Sequence, residues 1–338
     1  MPAQISNSTG ALRSRWLRLA VCAALTLWAP DIAGALQVSG LQGPQSFLAD
    51  STGEQYFISN ANGDPDAKDN NGFITKLDQS GKVAELRFIQ GGKGDTVLHA
   101  PKGMALVGPL LYVADLNTLR GFEVATGHMA VAVSLSGPVA NGTAVALVDV
   151  AYDGNKYLYL SDTAANTIYR IDLGQQHAIS TLAKDSALAG PRGLAVHPKT
   201  GRLIVTSWDK GKILEVTPEG TITELVSNSF FSSRFHNLGG VDFDTFGNMY
   251  VSDFTAGKVW RMRPNLHFDV IAEYLPSPAD IGVDRKNHLI LVPYEYGNAA
   301  EMNGLESPIK SRDNKRTLAD YGFRGGPSKE DKEKHDRK

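Results

Sequence analysis

The sequence predicts an all-β fold: a six-bladed β-propeller of four-stranded antiparallel blades, with the last blade closed by the N-terminal strand. Three observations carry this. One strand–turn–strand module recurs six times at a period of about 45 residues, which marks a closed array rather than two domains. The links between strands carry turn residues, as in Asp153-Gly154-Asn155, Lys199-Thr200-Gly201 and Phe246-Gly247-Asn248. A spare apolar strand, Leu36-Gln37-Val38, precedes the first repeat, while the sixth repeat lacks an outer strand of its own.

The clearest copy of the module is Met249-Tyr250-Val251-Ser252-Asp253, a short turn, then Lys258-Val259-Trp260-Arg261-Met262. Further copies end their first strand at Asn60, Asp115, Asp162, Ser207 and Pro293. Each is preceded by an inner strand, beginning in turn at Pro44, Pro101, Leu147, Pro191, Leu238 and Pro278. Blade 1 also carries an insertion, Ala61 to Asn71, in the turn after its second strand. In a meander the start of the first strand and the end of the second lie at one end of the sheet. One face of the ring, its mouth, therefore gathers both sets of residues, and the insertion overhangs it. Ligand sites of such folds belong there.

The flanks read differently. Arg13, Arg15 and Arg18 precede the apolar run Leu19 to Trp28, and Ala33-Gly34-Ala35 supplies small residues for cleavage, so residues 1–35 are expected to be a secretory signal peptide. The run is too short to span a bilayer. The expected location is outside the cytoplasm, periplasmic or extracellular. The propeller is expected over residues 36–306, and a charged, disordered tail over 307–338. The formal charge of −2 is near neutral, the content of apolar residues is 42%, and the single cysteine, Cys22, lies in the signal. This composition excludes a disulfide scaffold and thiolate chemistry in the mature chain. No basic stripe with interleaved aromatics points to nucleic acid. Motifs of serine hydrolases, zincins and phosphate-loop enzymes are absent. A monomer with a small-molecule ligand or a protein partner is expected.

Among the mouth residues, the repeated Asp115, Asp162 and Asp253 fit a structural role, a carboxylate accepting backbone N–H groups of the following turn. Asp149 and Asp280 stand where other blades hold Gly, so no shared structural need calls for them. They are the leading site residues, with Lys102 and Arg192 either paired to them or holding an anionic ligand. His99 and His236 complete the set as general-base candidates or polar turn residues. The blade 1 insertion, with Asn62, Asp64, Asp66, Asp69 and Asn70, offers oxygen ligands of the kind calcium takes, but not in the EF-hand register.

In Gly43-Pro44-Gln45-Ser46, Ala100-Pro101-Lys102-Gly103-Met104, Gly190-Pro191-Arg192-Gly193-Leu194 and Val251-Ser252-Asp253, the chain resembles the regucalcin/gluconolactonase-like propellers, relatives of strictosidine-synthase-like and NHL-repeat proteins. That resemblance implies a divalent metal at the mouth, calcium or zinc, polarising a lactone carbonyl and activating water. Its ligands would be a Glu near the first Gly-Pro, an Asn and an Asp. Here Gln42 and Gln45, Arg192 and Gly239 stand at those places, so the inherited site is expected to be degenerate. Two functions stay open. One is binding of a small polar or anionic ligand, or of a partner, at the mouth. The other is metal-dependent lactone or ester hydrolysis with ligands rearranged to Asp149, Asp280 and Asp162.

Overall fold

A computed structural model describes residues 36–135, 144–227, 235–265 and 267–305. The expected signal peptide and all of the expected tail lie outside them. Among the described residues the strands form six four-stranded sheets, all antiparallel. Five of them are simple meanders whose inner strands are Pro44–Ala49, Pro101–Val107, Leu147–Tyr152, Pro191–Val196 and Leu238–Phe243. The sixth runs from Gly282–Asp284 through Leu289–Tyr294 to Ala299–Gly304, and its outer strand is Leu36–Val38. Leu36 pairs with Met302 and Val38 with Ala300, so the ring closes as the sequence predicts. Such closure leaves no open edge between the first and last blades. Among the described residues no helix is long and apolar enough to cross a membrane.

The apolar faces of neighbouring blades pack together, giving one hydrophobic cluster at each blade interface. Ile204, Trp260 and Phe268 join blades 4 and 5, and Phe47, Tyr56, Leu291 and Met302 join blades 1 and 6. Alternation along each strand feeds both sides of the blade, which is why the second strand of every sheet is buried nearly throughout.

A second device joins the blades through hydrogen bonds, and it places the site. Each inner strand of blades 1–5 is bulged near its start, with pairing lost between Leu147 and Val150, for example, or Pro191 and Leu194. In blades 1, 3, 4 and 5 the freed backbone groups are taken up by a hydroxyl one residue before the end of the second strand. Ser161 Oγ accepts from Asp149 N at 3.0 Å and donates to Arg192 O of the next blade at 2.6 Å. Ser59, Thr206 and Ser252 repeat this between blades 1 and 2, 4 and 5, and 5 and 6. The surroundings of successive side chains differ: Lys102 and Arg192 reach Asp66 and the Trp208 ring, whereas Asp149 and Asp280, one residue further on in their repeats, line an axial cavity.

Candidate functional site

The strand-end polar residues are structural. Asn60, Asp115, Asp162, Ser207 and Asp253 are fully buried. Asp115 accepts from His99 N and Ala100 N and holds the buried Arg120 Nε at 2.5 Å. Asp162 accepts from Ala146 N, Ala165 N and the Tyr169 hydroxyl, and Asp253 from His236 N and Ala256 N. Burial pushes the Asp253 carboxyl up, and the amide bonds oppose that shift. With its oxygens taken, Asp162 does not join Asp149 and Asp280, and that expected ligand trio is not assembled.

The two histidines part company. His99 is buried, and its Nδ1 accepts the Asn70 N–H at 3.0 Å, anchoring the root of the blade 1 insertion. That bond fixes Nε2 as the protonated nitrogen of the neutral ring. His236 is exposed, and its backbone serves the Asp253 cap.

Lys102 and Arg192, at one position of the repeat, both turn to the mouth, but neither forms an ion pair with Asp149 or Asp280. Lys102 Nζ instead meets Asp66 of the insertion at 3.1 Å. The Arg192 guanidinium lies 4.0 Å from the centre of the Trp208 ring and, among the described residues, has no carboxylate within ion-pair distance. Burial lowers its affinity for the proton, while Glu295, Asp280 and Asp66 act from further off to keep it charged.

An arc of aromatic side chains, which the sequence did not reveal, continues from Arg192 across half the mouth. Trp208 meets Phe254 at 5.3 Å between ring centres, and Phe254 meets Tyr296 edge to face at 5.5 Å. Their loops are tied to one another. Asn237 donates from Nδ2 to Trp208 O, its carbonyl accepts Phe254 N, and its Oδ1 accepts the Thr255 hydroxyl. Tyr296 N is held by the Ser277 hydroxyl. The one available signal was an aromatic just after the strand end in blades 4 and 5, with Tyr296 displaced by a residue or two in blade 6.

Asp149 and Asp280 occupy the waist of the channel. Both Asp149 oxygens accept amides, Val150 N from its own strand and Leu194 N from blade 4, and Asp280 Oδ2 accepts the Ser46 hydroxyl at 2.6 Å. The glycines at this position in other blades make room for them. A Cβ at Gly103 would collide with the Asp149 carboxylate, and one at Gly240 with that of Asp280. Burial raises the Asp149 carboxyl well above the ordinary range, reinforced by the charge of Asp280. Asp280 is pushed up to about 7, chiefly by burial, with Asp242 adding to the shift and Ser46 and Arg192 opposing it. A cavity of ≈ 370 Å³ runs from this waist towards the opposite face, past Tyr152, Val196 and Asp242. At that end Asp242 is paired with Arg285. This axial cavity opens away from the mouth, so it is distinct from the face where Lys102 and Arg192 lie.

The residues present do not fit the implied metal. Gln45 Nε2 is turned to Gly43 O, Gly239 offers no side chain, and Arg192 brings a positive charge. In the insertion, Asp66 is paired with Lys102, Asp64 caps Asp66 N, Asp69 accepts from Asn71, and Asn70 Oδ1 accepts Leu98 N. Among the described residues no three His, Cys, Asp or Glu side chains are grouped to hold an ion.

No family model matches the chain, and no curated protein does. Among solved structures it is similar to a protein of unknown function from Bacteroides thetaiotaomicron VPI-5482, with a TM-score of 0.62 and 12% identity over 79% of this chain and 71% of that one. It is also similar to a catalytically inactive virginiamycin B lyase from Staphylococcus aureus with quinupristin, with a TM-score of 0.55 and 15% identity over 80% of this chain and 98% of that one. A streptogramin B lyase structure matches with a TM-score of 0.55 and 13% identity over 80% and 97% of the two chains. At these identities the likeness shows the fold, a six-bladed β-propeller with lyase and unknown-function propellers as structural neighbours.

Proposed function

We propose that the protein is a secreted, monomeric propeller of the gluconolactonase-like type, with its metal site lost, that binds a small polar or anionic ligand at the mouth. The observation that carries this is the Arg192 guanidinium, supported from one side by Trp208 and, among the described residues, without a carboxylate partner within ion-pair distance. A partly buried cation held by stacking keeps its N–H edges available for a charge-assisted, two-pronged bond to an oxyanion. Lys102 and Asp66 bound the far side of the same face. A propeller of this fold with quinupristin is consistent with a small-molecule ligand. The hydrolase alternative, with Asp149, Asp280 and Asp162 as ligands, gains no support, because Asp162 is engaged by its own turn.

Calorimetric titration of the purified protein with acetate, gluconate and inorganic phosphate tests the reading. Binding of at least one of them that weakens about tenfold or more in Arg192→Gln is expected from the loss of a charged hydrogen bond. Binding that is unchanged by that substitution, or absent throughout, sinks it. Export is tested separately: N-terminal sequencing of the exported protein is expected to begin at Leu36.

A further inference from the structure

Resting on that reading of Arg192, we infer that the ligand is an aromatic monocarboxylate, its carboxylate on Arg192 and its ring laid against the arc of Trp208, Phe254 and Tyr296. The arc begins where the guanidinium ends. Arg192 covers Trp208 at 4.0 Å, and the rings of Phe254 and Tyr296 follow at 5.3 and 5.5 Å, tilted by 58° and 81°. A row tilted in this way alternates faces and edges, the arrangement in which a further flat ring finds an offset or edge-to-face partner. Tyr296 is 76% exposed, so its ring is open to a ligand.

The arc is also held in place before any ligand arrives. Asn237 bonds to the loops that carry Trp208 and Phe254, and Ser277 bonds to the backbone of Glu295 and Tyr296 through its carbonyl and hydroxyl oxygens. Rings fixed in this way lose little freedom on binding, which favours a stacked ligand over a chance contact. Charge limits the anion. Glu295 acts on Arg192 from beyond pairing distance, so a doubly charged phosphate meets more repulsion there than a single carboxylate does.

The test is calorimetric titration of the purified full chain with 2-naphthoate, cyclohexanecarboxylate and inorganic phosphate, repeated with Tyr296→Ala, Phe254→Leu and Arg192→Gln. Tyr296 is exposed, so its variant keeps the fold. The expected result is that naphthoate binds at least tenfold tighter than cyclohexanecarboxylate or phosphate. Tyr296→Ala and Phe254→Leu should each weaken naphthoate several-fold and leave cyclohexanecarboxylate unchanged, while Arg192→Gln weakens both carboxylates. Equal affinity for the flat and the saturated ring, phosphate as the tightest ligand, or indifference of naphthoate to both aromatic variants, overturns the inference while leaving anion binding at Arg192 in place. Absence of binding, or binding indifferent to Arg192→Gln, overturns both.

Discussion

Lys102 and Arg192 occupy the same position of the repeat in blades 2 and 4, both cationic and both turned to the mouth, yet their surroundings differ. The blade 1 insertion reaches over Lys102 and supplies Asp66 as a partner at 3.1 Å. Blade 4 has no such insertion, and Arg192 is backed by an indole ring instead of a carboxylate. A cation whose counter-charge is built into the chain is already satisfied; one supported only by stacking still has its directional bonds to make. Residue type and repeat position therefore do not mark out which of the two cations is left to bind a ligand. The partner does.

The strongest way to press this comparison is to break the most deeply buried of the internal pairs. Asp115→Ala leaves Arg120 buried without its counter-charge and strips two amides of their acceptor, and is expected to cost about 3–5 kcal/mol in urea unfolding. Next comes the contrast itself. Arg192→Gln is expected to reduce carboxylate affinity about tenfold or more, with at most about 0.5–2 kcal/mol of stability lost with the stacking on Trp208, whereas Lys102→Gln should alter affinity less than about twofold. Equal effects on binding would erase the distinction drawn between them.

A third measurement concerns the acids behind Arg192. Because the folded-state value of Asp280 is raised to about 7, the folded protein holds this proton more tightly than the unfolded chain. Its contribution is therefore fully favourable at acid pH and is lost as pH rises towards and through 7. Asp280→Asn keeps an acceptor for the Ser46 hydroxyl and removes the charge. Its melting temperature relative to the parent protein is expected to rise between pH 5 and pH 8; a pH-independent difference would show that the carboxylate is not strained by its site. The smallest effect is assigned to Asp66→Ala, an exposed partner, at about 0–1 kcal/mol and falling with added salt.

Much of the architecture was readable because it is repeated. Six copies of one strand pair name the fold, and the apolar Leu36-Gln37-Val38 beside an incomplete last repeat names the closing strand. The same logic assigned Asp115, Asp162 and Asp253 to turn capping, since a role shared by several blades is a structural one. The site was less legible for the opposite reason. Asp149 and Asp280 stand out in the sequence as departures from glycine, but the bulges that give Asp149 and its neighbours Lys102 and Arg192 different surroundings have no residue signature of their own. Ser59, Ser161, Thr206 and Ser252 were plain in the pattern, but their bonds to the next blade depend on three-dimensional placement. The aromatic arc combines single residues from three blades, and a pattern that is spread across the ring and shifted in blade 6 leaves no periodic trace in the chain.

The pairing of Leu36–Val38 with Ala299–Gly304 has a consequence for synthesis. The first strand of the ring to leave the ribosome has its partner among the last, so blades 1 to 5 can form in order while the sixth waits for both ends of the domain. A release of the chain anywhere before Ala299 therefore yields a row of blades with no closing sheet. A circular permutant that moves Leu36–Val38 behind Gly304 would turn this distant pairing into a local hairpin and speed the last step of folding.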